Sequence, residues 1–549
     1  MAFNDLPAEI CQEIFLLCIQ DLHLNWCPAI EKRERFPLFS HPTFFTSVCK
    51  DWATIARSFP PLWSFITVFV VINQVGHGAG GHINRRPSVE FLPTLPVVRK
   101  SIELSSTSPL SFCVLPWHDI ETTEQNKLYK GTIKPALEEI IMPHYLRWRR
   151  VTLEWCPLES FPFSLHAVPN FPCLEHLALS NSLYFTGSPC TNFATETIHL
   201  LSNSPRLHSV EIDFQVANGK RFEMRKQEGT RAHIMASIPF ARLTKLSLLM
   251  GPLNVTATLK LLIEQCSNLE ILEVSMSRMG KVSRAIEDQP ILCHKHLQEL
   301  VFTLGHGYPS CTALLNQLIL PNLRSIQLPP VASLDDSQED VRNALIESFK
   351  KLVQRSGCRL RRLCYKSDPR AQHDTESTLQ MLWSVSSSLE ELEIEADTVD
   401  SLAVALSVPT STGSSDVLCP RLRSITFKIK YAFTTSVVDL VRSRRAPLPD
   451  LGIWKLQKFE IFVMLDDSLL GPKPGRYGDR RIPQALREAT EALRLLSLSD
   501  RATKPTTKNP WPQVVRVEWT AHTHGSERRN QYTYHKLPVQ LDMVRLYPW

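Results

Sequence analysis

Leu174-Glu175-His176-Leu177-Ala178-Leu179 is one line of a pattern that recurs along most of this 549-residue chain. Its form is apolar, two variable residues, apolar, one variable residue, apolar. It returns as Leu207-x-x-Val210-x-Ile212, Leu243-x-x-Leu246-x-Leu248, Leu269-x-x-Leu272-x-Val274 and Leu297-x-x-Leu300-x-Phe302. Leu323-x-x-Ile326-x-Leu328, Leu360-x-x-Leu363-x-Tyr365, Leu389-x-x-Leu392-x-Ile394, Leu422-x-x-Ile425-x-Phe427 and Leu456-x-x-Phe459-x-Ile461 complete ten. A single match means little at this composition. The spacing carries the weight, because successive first leucines lie 33, 36, 26, 28, 26, 37, 29, 33 and 34 residues apart. A period in that range marks stacked repeat units. Trp63-x-x-Ile66-x-Val68 and Trp148-x-x-Val151-x-Leu153 read as earlier, weaker members, with Leu110-Ser111-Phe112-Cys113-Val114 an alternating strand between them.

The return segments agree. Residues 341–356 place Val341, Leu345, Phe349, Leu352 and Val353 on one helical face, and residues 256–266 and 436–444 are likewise amphipathic. No such unit buries its own apolar face, so stacking must close the core and both ends need caps. The expected fold class is therefore α/β, a solenoid with parallel strands on its concave side and helices on its convex side. Residues 70–470 carry it, and residues 471–549 form a C-terminal capping region. Within that region residues 483–497 read as a helix, residues 514–520 as a strand and residues 471–481 as a polar loop.

Ahead of the series stands a different kind of sequence. Pro7 suits a first helical turn and Glu9 sits near its positive end. Ile10, Ile14, Leu17 and Cys18 follow at helical spacing, with Phe15 beside them. A second helix is expected over residues 46–59, carrying Val48, Trp52, Ile55 and Phe59 and ending at Pro60-Pro61. Segments this short need a packing partner to persist.

Leu6-Pro7-x-Glu9-Ile10, Ile14-Phe15, Val48-Cys49-Lys50-x-Trp52-x-x-Ile55-Ala56 and Pro61-Leu62-Trp63-x-x-Ile66 resemble the F-box of the large fungal family of F-box proteins with C-terminal leucine-rich repeats. Arg147-Trp148-Arg149-Arg150, residues 99–110 and residues 354–360 look like the same family, so the likeness extends to about Leu470. It implies an F-box-like docking module at residues 1–69. Leu6, Pro7, Ile10, Ile14, Phe15, Val48, Trp52, Ile55, Leu62 and Trp63 would then bind a Skp-type adaptor and, through it, a cullin–RING (SCF) ubiquitin ligase. The chain departs from a compact F-box at residues 21–45, an insertion that carries the charged run Glu31-Lys32-Arg33-Glu34-Arg35. The resemblance implies a substrate receptor that is not itself an enzyme and takes no cofactor. The alternative is a leucine-rich interaction scaffold not engaged with a ligase, the N-terminal helices serving only as a cap.

In each repeat strand the variable residues should face away from the core, since side chains alternate. On that row stand Glu211, Glu273, Glu299, Glu391, Glu393 and Glu460 against Lys245, Arg362 and Lys458. Glu273, Glu299, Arg362, Glu391 and Glu393 are the candidate contacts to an unknown protein target, and their acidic excess favours a basic segment.

Composition excludes much else. A net charge of +6 at this length makes no case for nucleic-acid binding. The longest apolar run, residues 65–72, is far short of the roughly 20 residues a membrane helix needs. The opening residues lack a basic run and contain Asp5 and Glu9, so no secretory signal is expected. Fourteen cysteines without a C-x-x-C pair suggest buried thiols in a reducing, intracellular setting, cytoplasm or nucleus. Gly76-x-Gly78-x-x-Gly81 has dinucleotide-binding spacing, but no apolar helix opens after it, and a surface loop is the expectation. Cys293-His294-Lys295-His296 lacks the second ligand cluster that zinc requires, so its histidines read as polar strand-edge residues. No G-x-S-x-G or H-E-x-x-H occurs. Arg147-Trp148-Arg149-Arg150 and Arg442-Ser443-Arg444-Arg445 read as solvated or capping residues at element ends.

Overall fold

The computed structural model describes residues 6–24, 41–73, 88–116, 129–155, 165, 169–181, 191–214, 235–250, 265–276, 291–303, 308–329, 338–366, 374–396, 399–408, 417–429, 435–445, 453–466, 514–524 and 532–535. The glycine run at 76–81, the charged run at 31–35, the loop at 471–481, the helix expected at 483–497 and nearly all of 256–266 lie outside these. The chain divides into two compact units, Met1–Gly251 and Pro252–Trp549.

The first unit opens with helices α1 (Ala8–Leu24), α2 (Thr43–Val48), α3 (Lys50–Arg57) and α4 (Pro60–Trp63). Strands β1 (Phe65–Asn73) and β2 (Ser88–Leu92), helix α5 (Leu95–Leu104), β3 (Leu110–Pro116) and α6 (Lys134–Ile141) follow. Strands β4 (Trp148–Trp155) and β5 (His176–Asn181), helix α7 (Thr191–Ser202), β6 (Ser209–Phe214) and β7 (Lys245–Met250) complete it. The sheet runs β7-β6-β5-β4-β3-β1-β2, parallel except for the hairpin partner β2. Position 69 falls inside β1, so the expected boundary between docking module and repeats runs through the sheet's own strand.

The second unit holds β8 (Ile271–Met276), the short β9 (Leu292–Cys293), β10 (Glu299–Thr303), helix α8 (Tyr308–Gln317), β11 (Leu318–Ile319) and β12 (Ser325–Gln327). Helix α9 (Gln338–Ser356), β13 (Arg362–Lys366), α10 (Asp374–Val385), β14 (Glu391–Ala396) and α11 (Asp400–Leu406) come next. Then come β15 (Ser424–Ile429), α12 (Thr435–Arg445), β16 (Lys458–Asp466), β17 (Val514–His524) and β18 (Tyr532–His535). Its sheet runs β8-β10-β12-β13-β14-β15-β16-β17-β18, parallel throughout except that β18 returns antiparallel. Helices α8 to α12 pack each against the next along the sheet. Each unit is thus a mixed α/β body around a mostly parallel sheet whose strands follow chain order, as short right-returning connections favour.

The repeated motif explains that order. All thirty apolar positions of the ten motifs are buried, none more than 3% exposed. Equivalent positions stack in register: Leu272, Leu300, Ile326, Leu363, Leu392, Ile425 and Phe459 lie opposite one another from β8 to β16. Ile66, Phe112, Val151, Leu177, Val210 and Leu246 do the same in the first unit. The first leucine of a motif usually closes a turn, as where Leu207 N–H donates to Ser204 O (3.2 Å) and Leu422 N–H to Cys419 O (3.1 Å). The next residue's carbonyl accepts two amides of the following repeat; Arg361 O takes both Glu390 and Glu391 N–H at 2.8 Å. That ladder runs on through Glu390 O and Arg423 O, so each corner templates the next.

Helix α9 buries Leu345, Phe349, Leu352 and Val353, the face anticipated for residues 341–356. It ends on Gly357, whose φ of +58° lets its N–H reach Val353 O at 3.0 Å.

Candidate functional site

The N-terminal helices form one small core and leave large apolar residues exposed on α1 and on α2. Cys11, Phe15 and Ile19 of α1 meet Phe45, Ala56, Leu62 and Trp63, with Leu6, Trp52, Ile55 and Phe59 packed partly buried against them. Phe15 stacks on Phe45 with ring centroids 4.3 Å apart and meets Trp52 at 4.9 Å. The Trp63 indole N–H donates to Ala56 O at 2.7 Å, which supplies the partner a buried indole requires.

The buried stripe of α1 is therefore Cys11, Phe15 and Ile19. The Ile10, Ile14, Leu17 and Cys18 stripe read from the sequence is displaced from it: Ile10, Leu17 and Cys18 are exposed and Ile14 is half-buried. Ile10 is 48% exposed, Leu17 62%, Phe44 37% and Val48 48%. These four are half of the exposed large hydrophobics among the described residues, all on the first two helices. Of the ten candidate adaptor contacts, Pro7, Ile10 and Val48 are exposed and Leu6, Ile14, Trp52 and Ile55 are half-buried. Phe15, Leu62 and Trp63 are interior. Those three act by holding the outward residues in place, and a partner does not reach them.

Two local expectations are corrected. The helix expected over residues 46–59 is broken at Cys49, whose extended backbone (φ −158°, ψ 172°) separates α2 from α3. The Cys49 Sγ accepts Trp52 N–H at 3.5 Å, so the thiol caps α3 in the position a serine commonly takes. The insertion is also shorter than residues 21–45 suggested, because α1 runs to Leu24 and His41 to Phe45 belong to the folded module.

His41 is the residue the sequence did not reveal. It is buried, with Nδ1 accepting Thr43 N–H at 3.3 Å and Nε2 at 3.1 Å from Ser101 Oγ on α5. The Ser101 hydroxyl donates to Val97 O at 2.9 Å, so Nε2 carries the proton and donates to Oγ. Burial pushes the imidazole pKa down to about 4. The ring thus fastens the start of α2 to α5 in its neutral form.

On the repeat sheet of the second unit, Arg362 reaches Glu391 at 3.9 Å and Glu393 at 3.6 Å. Lys428 Nζ meets Glu393 at 2.6 Å and Lys458 meets Glu460 at 2.8 Å. Burial opposes the Lys428 charge, but the hydrogen bond and charge of Glu393 outweigh it and hold its pKa above the ordinary value. The expected acidic excess is thus largely offset where it looked strongest, since adjacent strands supply Arg362 and Lys428 to the same carboxylates. Glu273 on β8 and Glu299 on β10 lie at half-buried positions two or more strands away from that network.

The discounted chemistry has structural explanations. His294 is buried: Nδ1 accepts Leu297 N–H at 3.1 Å and Nε2 lies 2.8 Å from Cys266 O, so a side chain closes the turn that a carbonyl closes elsewhere. It is an internal tie between repeats and not an edge residue. Among the described residues no group of three or more His, Cys, Asp or Glu could hold a metal ion. Arg444 is fully buried, its Nε donating to Leu406 O at 2.6 Å and its terminal nitrogens to Cys419 O and Leu418 O. Arg355 likewise bonds Leu315 O and Leu318 O, and Arg147 bonds Ser108 O. These arginines cap carbonyls of the preceding repeat, a role visible in sequence only as an Arg at the end of an amphipathic helix.

No described helix is long and apolar enough to cross a membrane. No protein family model matches the chain, and no curated protein matches it. Among solved structures, a structural-genomics protein from Bacteroides fragilis is similar over 52% of this chain and 65% of its own, just under two thirds of that protein's length. It shares 15% identity with a TM-score of 0.28, a likeness that carries no functional argument.

Proposed function

We propose that this protein is a substrate receptor of the F-box type, docking a Skp-type adaptor of a cullin–RING ligase through α1 and α2 and a target protein through its leucine-rich repeats. The observation that carries the reading is the outward set Ile10, Leu17, Phe44 and Val48, backed by a core that fixes the helices beneath it. Large hydrophobics gathered on one small module, and left in water, mark an interaction face. Catalysis in such an assembly belongs to the partner enzymes. The receptor raises the effective concentration of target near the ligase by holding both. The setting is intracellular, in cytoplasm or nucleus.

The test is adaptor binding by the full chain. Wild type should capture a purified Skp-type adaptor, and Ile10→Asp with Val48→Asp should lose it while retaining the wild-type melting temperature. An intact wild-type chain that captures no adaptor leaves the interaction-scaffold reading in its place.

A further inference from the structure

The turns that precede the strands of the second unit carry a charge bias opposite to the acidic row on its sheet. Arg324, Arg359, Arg361, Arg362, Arg421 and Arg423 all lie within three residues of a motif's first leucine, at the N-terminal edge of β12, β13 and β15. Arg324, Arg361 and Arg423 occupy the same motif position, and their carbonyls belong to the corner ladder that joins successive repeats. Neighbouring strands are ~4.8 Å apart, so the side chains at this position form a row with fixed spacing. Arg324, Arg359, Arg361, Arg362 and Arg421 are exposed, and Arg423 is half-buried.

Two features indicate what the row is built to meet. Trp454 sits beneath it, with the Arg423 guanidinium 3.6 Å and the Arg421 guanidinium 5.7 Å from its ring centre. That stacking holds both arginines in place, which lowers the entropy lost when they engage an anion. The carboxylates already on this edge are accommodated side by side: Glu390 lies 3.7 Å from Arg361 and Glu391 lies 3.9 Å from Arg362. Both contacts are loose, and an arginine fork presents five donors, so donors remain for a further carboxylate.

We infer that this arginine edge binds an acidic polypeptide segment, rich in Asp and Glu and extended across the strand ends. From β12 to β15 the edge covers about 14 Å at ~4.8 Å per strand, which an extended segment of about four residues spans. Nucleic acid fits less well, because the face of Trp454 is covered by Arg423 where a base would stack. The inference rests on the repeats being the target-binding part of the proposed receptor, and it is independent of adaptor docking by α1 and α2.

Fluorescence anisotropy with the full-length protein tests it, using a labelled peptide of about twelve alternating Glu and Gly residues, more than long enough for the ~14 Å edge. An equally long Lys–Gly peptide and a single-stranded DNA of similar length serve as the other arms. The Glu peptide should bind, weaken with added salt, and lose roughly tenfold in affinity in the triple variant Arg359→Ser, Arg361→Ser, Arg421→Ser, given the strength of exposed ion pairs. Lys351→Ser, on the exposed side of α9, should leave it unchanged. Adaptor capture by the triple variant should match wild type, which separates failure here from failure of the receptor reading. Tighter binding of the DNA or the Lys peptide, or equal affinity in wild type and triple variant, overturns the inference.

Discussion

At the scale of single residues, His41 has the sharpest consequence. Its neutral ring accepts one backbone N–H and donates to one hydroxyl, and the packed surroundings leave no solvent for a second proton's charge. The folded pKa of about 4 lies below the ordinary histidine value of 6.5, so the unfolded chain binds the proton more readily. The stabilisation is therefore complete above about pH 6.5 and is lost as pH falls toward about pH 4, amounting to roughly 3 kcal/mol over that window. His41→Gln should remove this dependence while retaining a donor and an acceptor. Urea midpoints of wild type and variant should lie close together near neutrality, and that of wild type should fall below the variant's as pH drops toward about 4. A constant separation across the range would assign the acid sensitivity to other groups. The effect belongs to the N-terminal helices, because the hydrogen bonds at risk hold the start of α2, which carries Phe44 and Val48.

At the scale of elements, α1 shows how far hydrophobic spacing alone carries. The helix has two apolar stripes about a third of a turn apart, Cys11-Phe15-Ile19 and Ile10-Ile14-Leu17-Cys18, and helical period selects either equally well. The tertiary partners decide, since Phe45 and Trp52 close over Phe15 and nothing described in this chain covers Leu17. Phe15→Ala should therefore cost about 3–5 kcal/mol, as large-to-small changes at full burial do, and Leu17→Ala less than about 0.5 kcal/mol. Chemical denaturation of the two variants checks it, and equal losses would show that α1 packs through the other stripe. The break at Cys49 was illegible for a related reason: the apolar spacing of Val48, Trp52 and Ile55 continues through it, and only the thiol's contact with Trp52 N–H marks the boundary. The repeat strands were legible because each first leucine, its turn and its two inward partners recur together, so local pattern and tertiary burial agree at every motif. Charge was the least legible. The sequence shows Glu391 and Glu393 as an acidic pair, but which cations answer them depends on strand register, which brings Arg362 and Lys428 from either side.

At the scale of the molecule, strands that pair in chain order make the contacts local, each repeat touching those before and after it. Stability in such an array is close to a sum of repeat terms and nearest-neighbour terms, so damage should spread over neighbours and then fade. Leu392 is a suitable probe, because it is buried in β14 and lies opposite Leu363 and Ile425 on the flanking strands. Leu392→Ala removes side-chain volume that the stacked column cannot refill, at a cost of about 2–5 kcal/mol. The corner ladder transmits that cost, since Arg361 O holds the amides that start β14 and Glu390 O those that start β15. Native-state hydrogen exchange should then show protection falling most in β13, β14 and β15, less in β10 and β16, and not at all in β3 to β6 of the first unit. A uniform fall across both sheets would mean that the chain opens as one cooperative body and that the repeats do not store stability pairwise. The graded pattern would also locate the arginine edge on repeats that stabilise one another pairwise, because Arg361 and Arg423 flank β14 and their carbonyls are rungs of the same ladder.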